Sequence, residues 1–284
     1  MEIKVIGVLG AGSMGNGIAQ VAARAGYQVV MRDIEDRFVH NGLKDIEKFL
    51  TKGVEKGKMT EEQKQGILSR IKGTTRMEDL KDVDFVIEAV FEDMALKRDV
   101  FTQLNELTRP EVILTTNTSS MSVTEIAMST KRPEKVAGMH FFNPAPIMKL
   151  VEVIRGFHTN DETVHIVMEM SKKMGKEPVE VKKDTPGFIV NRLMIPHMVE
   201  AIRMYEEGVA SMEDIDKAVK LGLNYPMGPF ELMDLTGVDI ALHVTEYLYK
   251  DLSKESKWSV PPLLRSMIRA GKLGRKTGGG WYKY

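Results

Sequence analysis

Residues 3–33 constrain this chain more than any other stretch. Ile3–Leu9 is an almost unbroken apolar, β-branched run, the pattern of a strand buried on both faces. Gly10-Ala11-Gly12-Ser13-Met14-Gly15 follows at once, Ile18–Ala22 opens a helix, and Tyr27–Met31 is a second apolar run ending just before Asp33. Strand, glycine turn, helix, strand and acid in this order make a βαβ unit of the kind that holds a dinucleotide. Gly10 permits the tight turn, Gly12 lets the backbone approach a pyrophosphate, and Gly15 lets the helix lie close to the sheet. The helix start offers N–H groups and a positive dipole end to the phosphates. Asp33 suits the adenosine ribose hydroxyls. A carboxylate there favours NAD over NADP, although Arg32 beside it keeps NADP open.

The rest of the first two thirds extends this unit. Residues 35–72 are highly charged, with helical apolar spacing at Leu43, Ile46, Phe49, Leu50 and Val54 and a break at Lys56-Gly57-Lys58. Thr60-Glu61-Glu62-Gln63 reads as a capping box for a second helix. The spacing predicts an inserted helical hairpin, either a solvated flap or a carrier of Lys52, Lys56 and Lys58 toward an anionic part of a substrate. Further buried strands are expected at Asp84–Val90, Val112–Thr116, Lys135–Phe142 and Lys149–Ile154, with a helix at Asp161–Met174 and an alternating segment at Pro178–Lys182. Strand C-termini face the ligand crevice in such sheets. Glu92, Lys97 and Ser119 are therefore candidate wall residues; a surface ion pair and a helix-cap serine are the plainer alternatives.

From Asp184 onward the pattern is helical: Gly187–Glu207, Met212–Leu221 opened by Ser211, Phe230–Leu235, Asp239–Tyr249 and Leu263–Ala270, punctuated by Gly208, Gly222 and Gly237. The expected architecture is an α/β Rossmann domain over residues 1–184, with a doubly wound, mostly parallel sheet and the insertion at 35–72. An all-α C-terminal domain is expected over 185–284.

Composition removes several classes of function. Forty basic and forty acidic side chains leave no net charge, so nothing asks for nucleic acid or an anionic membrane. There is no cysteine, and the six histidines are scattered, which argues against thiolate chemistry and a metal site. The N-terminus enters a strand almost directly, unlike a signal peptide, and no run approaches the length needed to span a bilayer. A cytoplasmic protein is the expectation.

Chemistry concentrates in Met139–Glu152, MHFFNPAPIMKLVE. A nicotinamide enzyme acting on an alcohol needs a base for the hydroxyl proton, a group that orients the base, and ligands for the substrate oxygens. His140 suits the first task and Glu152 the second. Ser119 and Asn191 are candidates for the third. Spacing alone also permits a satisfied strand-end histidine, an exposed strand glutamate and a packing or capping asparagine.

Six stretches together resemble the 3-hydroxyacyl-CoA dehydrogenase family: GVLGAGSMGNGIAQVAARAGYQVV, VIEAVFEDMALK, TTNTSS, HFFNPAPIMKLVEVI, DTPGFIVNR and GLNYPMGPFELMDLTGVD. They run in order along essentially the whole chain. The resemblance implies NAD(H)-dependent interconversion of (S)-3-hydroxyacyl-CoA and 3-oxoacyl-CoA, on the short-chain hydroxybutyryl and acetoacetyl thioesters above all, by a homodimer or higher oligomer. It implies His140 as catalytic histidine, Glu152 as its partner, and Ser119 and Asn191 as substrate-oxygen ligands. The implied cofactor contacts are Gly10 to Gly15, Asp33, Glu92, Lys97, Ser119, Asn143 and Lys276, and Lys56 falls at a position associated with CoA. Two rival readings are a β-hydroxyacid dehydrogenase with a free-acid substrate and a non-catalytic dinucleotide-binding protein on the same scaffold.

Overall fold

The computed structural model describes residues 2–284. The chain divides into two compact units, one ending at Asp184 and one spanning Thr185–Tyr284.

Among the described residues, the first unit is built on eight strands. They are β1 (Val5–Leu9), β2 (Gln28–Arg32), β3 (Ile71–Thr74), β4 (Phe85–Glu88), β5 (Ile113–Thr116), β6 (Val136–Phe141), β7 (Leu150–Ile154) and β8 (Glu177–Val181). Their order across the sheet is β3-β2-β1-β4-β5-β6-β7-β8. All neighbours are parallel except β6 and β7, which are antiparallel. The chain winds outward from β1 in one direction to β3, then returns to β4 on the other side of β1. The C-terminal ends of β1 and β4 thus form the switch point at which such sheets bind ligands. The central strands are buried along nearly their whole length, as parallel strands covered on both faces must be.

Helices α1 (Ser13–Arg24), α2 (Asp36–Glu55), α3 (Glu61–Leu68), α4 (Met94–Leu107), α5 (Val123–Ala127) and α6 (Asp161–Lys173) complete this unit. The predicted hairpin is α2 and α3, and the capping box is formed: the Gln63 amide donates to the Thr60 hydroxyl, and the Gln63 side chain accepts from the Thr60 amide. The span 35–72 is not helical to its end, however. Ile71 and Lys72 already belong to edge strand β3. Its sequence, IKGT, has neither an apolar run nor clean alternation. A Cβ on Gly73 would lie 2.4 Å from Val39 Cγ1, so α2 packs onto the strand at a glycine.

The second unit is helical: α7 (Val190–Glu206), α8 (Met212–Gly222), α9 (Pro229–Thr236), α10 (Val238–Asp251) and α11 (Pro262–Arg269). Helix α7 starts three residues later than its sequence pattern suggests, because Gly187 and Phe188 adopt positive φ values of 73° and 49°. Phe230 and Trp281 meet edge to face in the core, with ring centroids 4.8 Å apart. Two buried carboxylates tie the C-terminal tail into this unit. Asp216 accepts from the Phe230 and Glu231 amides and the Tyr282 hydroxyl, and Asp234 from the Trp281 and Tyr282 amides. Burial raises the Asp216 carboxyl above the usual aspartate range despite those donors. Among the described residues, no helix is long and apolar enough to cross a membrane.

Candidate active site

The glycine loop separates what the fold needs from what a ligand needs. Gly10 has φ of 98°, and a Cβ there would sit 2.4 Å from the Ala89 carbonyl oxygen; one on Gly15 would sit 1.9 Å from the Gly10 carbonyl oxygen. Both glycines are therefore required by the backbone itself. Gly12 is different: its φ is −67° and a Cβ would meet nothing within 4 Å. The protein's own packing does not require glycine at that position. Gly12 is also the N-cap of α1 and brings no capping side chain, which leaves the amides of the first turn suited to an anion. Ser13 and Met14 occupy that turn, and Ala11 is buried beneath it.

Asp33 sits just past β2. Its Oδ2 accepts from the Ala11 amide and its Oδ1 from the Ile34 amide, each at 2.7 Å. The carboxylate is thereby fixed beside the glycine loop. Arg32 is turned elsewhere, with its Nε donating to the Thr75 carbonyl at 3.2 Å. This loop fits a dinucleotide, with the Asp33 side chain held beside it.

Beyond β4 and β5 the structure assembles a buried polar cluster. Glu92 Oε1 accepts from the Ser119 amide at 2.6 Å, the Ser119 hydroxyl at 3.0 Å and the Thr118 hydroxyl at 3.1 Å. A carboxylate only accepts, so the Ser119 hydroxyl hydrogen points at Glu92. Any further bond at that oxygen is one it accepts. Lys97, on α4, is wholly buried, which removes the surface ion-pair reading. Its ammonium faces Glu88 Oε1 at 2.7 Å, Glu92 Oε2 at 3.4 Å and the Val90 carbonyl at 3.4 Å. Glu88 escaped the sequence reading. A glutamate embedded in the apolar run DFVIEAV was the signal, because a charge inside a buried strand needs a partner.

His140 and Glu152 face each other across the antiparallel β6–β7 pair, in direct register. His140 Nδ1 lies 2.8 Å from Glu152 Oε2. Glu152 is 1% exposed, so the exposed-strand alternative fails. With Nδ1–H donating to the carboxylate, Nε2 is the nitrogen whose proton can change. Phe142 packs against the imidazole at 4.5 Å between ring centroids. Asn117, at the end of β5, accepts from the Phe141 amide at 2.7 Å and ties the histidine strand to the Ser119 segment.

Asn143 follows on an exposed loop. With Ser13, Asn16, Gly17 and Gln20 of α1, Asp45 and Phe49 of α2, and the neighbouring Pro144 and Pro146, it lines a cleft of about 240 Å³. Lys176, also missed by the sequence reading, holds this loop from below by donating to the Ala145 and Met148 carbonyls. Burial, and then the nearby Arg24 charge, lower the Lys176 ammonium below the usual lysine range. Lys56 does not line the cleft. It lies exposed at the hairpin turn, and Lys58, two residues on, joins Arg24 and Arg70 around a separate cavity of about 470 Å³. In the second unit, Asn191 is buried in the first turn of α7, and Lys276 Nζ is bound to Asp239 at 2.6 and 2.7 Å.

A doubly wound sheet with a glycine loop at its switch point defines a dinucleotide-binding fold of the Rossmann type. The 3-hydroxyacyl-CoA dehydrogenase NAD-binding domain matches residues 5–185, and that family's C-terminal domain matches residues 187–284. The chain belongs to the 3-hydroxyacyl-CoA dehydrogenase family. It is 50% identical to 3-hydroxybutyryl-CoA dehydrogenase of Clostridioides difficile, over 98% of this chain and 99% of that protein. It is 42% identical to the mitochondrial hydroxyacyl-coenzyme A dehydrogenase of Sus scrofa, over 99% of this chain and 91% of that protein. The crystal structure of (S)-3-hydroxybutyryl-CoA dehydrogenase from Ralstonia eutropha superposes with a TM-score of 0.95 at 46% identity, covering 100% of this chain and 99% of that one.

Proposed function

We propose that the protein interconverts (S)-3-hydroxybutyryl-CoA and acetoacetyl-CoA, with His140 and Glu152 moving and holding the proton. The observation that carries this reading is the buried His140–Glu152 hydrogen bond at 2.8 Å, in a chain so similar to 3-hydroxybutyryl-CoA dehydrogenases over its full length. Bound NAD supplies the hydride acceptor, and NADH the donor. In the oxidising direction His140 Nε2 takes the proton of the C3 hydroxyl. Glu152 holds the ring in the tautomer that leaves Nε2 basic, then offsets the imidazolium charge. Ser119, whose hydroxyl lies 3.0 Å from Glu92, is assigned to the substrate oxygens on resemblance. Asn191 is assigned to the substrate oxygens, Lys56 to CoA and Lys276 to the cofactor on resemblance. Glu92, Lys97 and Asn143 are assigned to the cofactor side of the site on the same ground.

The cleft running from Asn143 to Phe49 gives the thioester arm a path along the insertion, in keeping with the hairpin as a CoA-facing element. Exposed apolar residues of the helical unit, among them Leu193, Val209, Leu221 and Leu223, favour a homodimer or larger assembly. The proposed setting is the cytoplasm.

The test is an absorbance assay of acetoacetyl-CoA reduction, run in parallel with NADH and NADPH and repeated with free acetoacetate. Rapid NADH oxidation with the thioester alone is expected. Turnover of the free acid but not the thioester would establish the β-hydroxyacid reading, and NADH binding without turnover the non-catalytic one.

A further inference from the structure

We propose that Glu88 is a positioning residue for Ser119: by holding the Lys97 ammonium, it leaves the Glu92 carboxylate to grip the Ser119 amide and hydroxyl. Glu88 closes β4 with no exposure to solvent. It accepts three short bonds, each 2.7 Å: from the Val90 amide, the Lys97 ammonium and the Thr116 hydroxyl. Apart from the lysine, the Val90 amide and the Thr116 hydroxyl hold this carboxylate in place.

The asymmetry around Lys97 is the point. One buried cation lies between two carboxylates, at 2.7 Å from Glu88 and 3.4 Å from Glu92. The ammonium has three N–H groups, and three acceptors surround it: Glu88, Glu92 and the Val90 carbonyl. Were Glu88 uncharged, Glu92 would be the only anion left for a buried cation, and attraction in a low-dielectric interior would draw the two together. Glu92 Oε2 already faces Lys97 at 3.4 Å without a hydrogen bond, so it is the oxygen such an attraction would pull in. Turning it toward Lys97 would swing Oε1 off the Ser119 amide and hydroxyl, now 2.6 and 3.0 Å away. Glu88 therefore acts on the substrate-facing hydroxyl from two residues away, through Lys97 and Glu92, without touching substrate or cofactor. The same chain explains why Lys97 is buried on a helix whose neighbours Leu96 and Arg98 face solvent.

This inference rests on the proposed thioester reduction, so the wild-type enzyme is assayed first with acetoacetyl-CoA and NADH. Failure there removes the proposed function and leaves the Glu88 question to the variants' NADH binding, read by cofactor fluorescence; there, Glu88→Gln weakening NADH only when Ser119 is intact supports the chain, and equal weakening in both backgrounds overturns it. With an active wild type, Glu88→Gln is expected to lower kcat about tenfold, close to the effect of losing one charge-assisted hydrogen bond. The decisive comparison is the same substitution in a Ser119→Ala background, where it is expected to change kcat by less than about twofold, because the group it positions is gone. A kcat within about twofold of wild type for Glu88→Gln, or an equal loss in both backgrounds, overturns the proposal and leaves Glu88 as a counter-ion that merely keeps Lys97 folded. If Glu88→Gln does not fold, Thr116→Val is read in the same two backgrounds, since it removes one of the three bonds that fix Glu88.

Discussion

His140 and Glu152 stand opposite each other in the antiparallel β6–β7 pair of the sheet, with Nδ1 2.8 Å from Oε2. Twelve residues apart in the chain, they become cross-strand neighbours because the segment between them reverses direction. Both are buried, so the hydrogen bond is shielded from competing water.

Replacing either partner should separate chemistry from binding. His140→Gln is expected to lower turnover by about 10²–10⁴, the usual range for a lost general acid–base. Glu152→Gln should lower it by a smaller but still large factor, since the amide can no longer offset the imidazolium. NADH affinity, measured by fluorescence titration, should change little in both. Near-normal turnover in His140→Gln would remove its assigned role.

Gly12→Ala tests whether the glycine loop holds a ligand. A Cβ there meets nothing within 4 Å in the protein. The substitution should leave the melting temperature within about 2 °C of wild type while weakening NADH binding by at least about tenfold. Gly15→Ala should instead lower stability, because its Cβ would run into the Gly10 carbonyl. Equal effects of the two on stability would contradict the distinction.

Cofactor choice should follow Asp33. Its carboxylate is held by the Ala11 and Ile34 amides, while Arg32 is bound to the Thr75 carbonyl. NADH should be preferred over NADPH, and Asp33→Ser should narrow the ratio of their kcat/KM values by at least about tenfold, by removing the charge opposed to a 2′-phosphate.

The loop after the histidine strand depends on Lys176. Lys176→Met would leave the Ala145 and Met148 carbonyls without their donor. The expected loss is about 1–3 kcal/mol of stability, read from urea midpoints, together with faster amide exchange across residues 144–148. Unchanged exchange there would show that the proline-rich loop holds its own shape.

Acid stability should carry the signature of Asp84. Burial pushes its carboxyl up, but the Lys4 and Val5 amides, each at 2.9 Å, and the Arg109 guanidinium, at 2.7 Å, together hold it below the usual aspartate range. The native state therefore binds fewer protons than the unfolded state as the pH approaches the depressed value. The contribution is complete above the unfolded pKa of about 3.9 and is lost as the pH falls through the lower folded value. The gap in urea midpoint between wild type and Asp84→Asn should be constant from neutrality to about pH 5 and shrink below about pH 4. A gap that widens on acidification would reverse the sign.

The sequence by itself determined the nucleotide half of this protein. The strand, glycine turn, helix and acid of residues 3–33 are local, so their spacing carries the fold of that segment, and the capping box at Thr60 and Gln63 was legible for the same reason. Edge strand β3 was not, because a four-residue half-buried strand has no period of its own. The catalytic side was only half written in the sequence. His140 and Glu152 each had a plainer explanation until strand pairing set them in register. Glu88, Lys97, Glu92 and Ser119 come from β4, α4 and the segments that follow β4 and β5. Whether Lys97 lay on the surface or in the interior turned on how α4 packs against the sheet. Those contacts join residues distant in the chain, and only tertiary structure decides which of two charged side chains is left in water and which must find a partner.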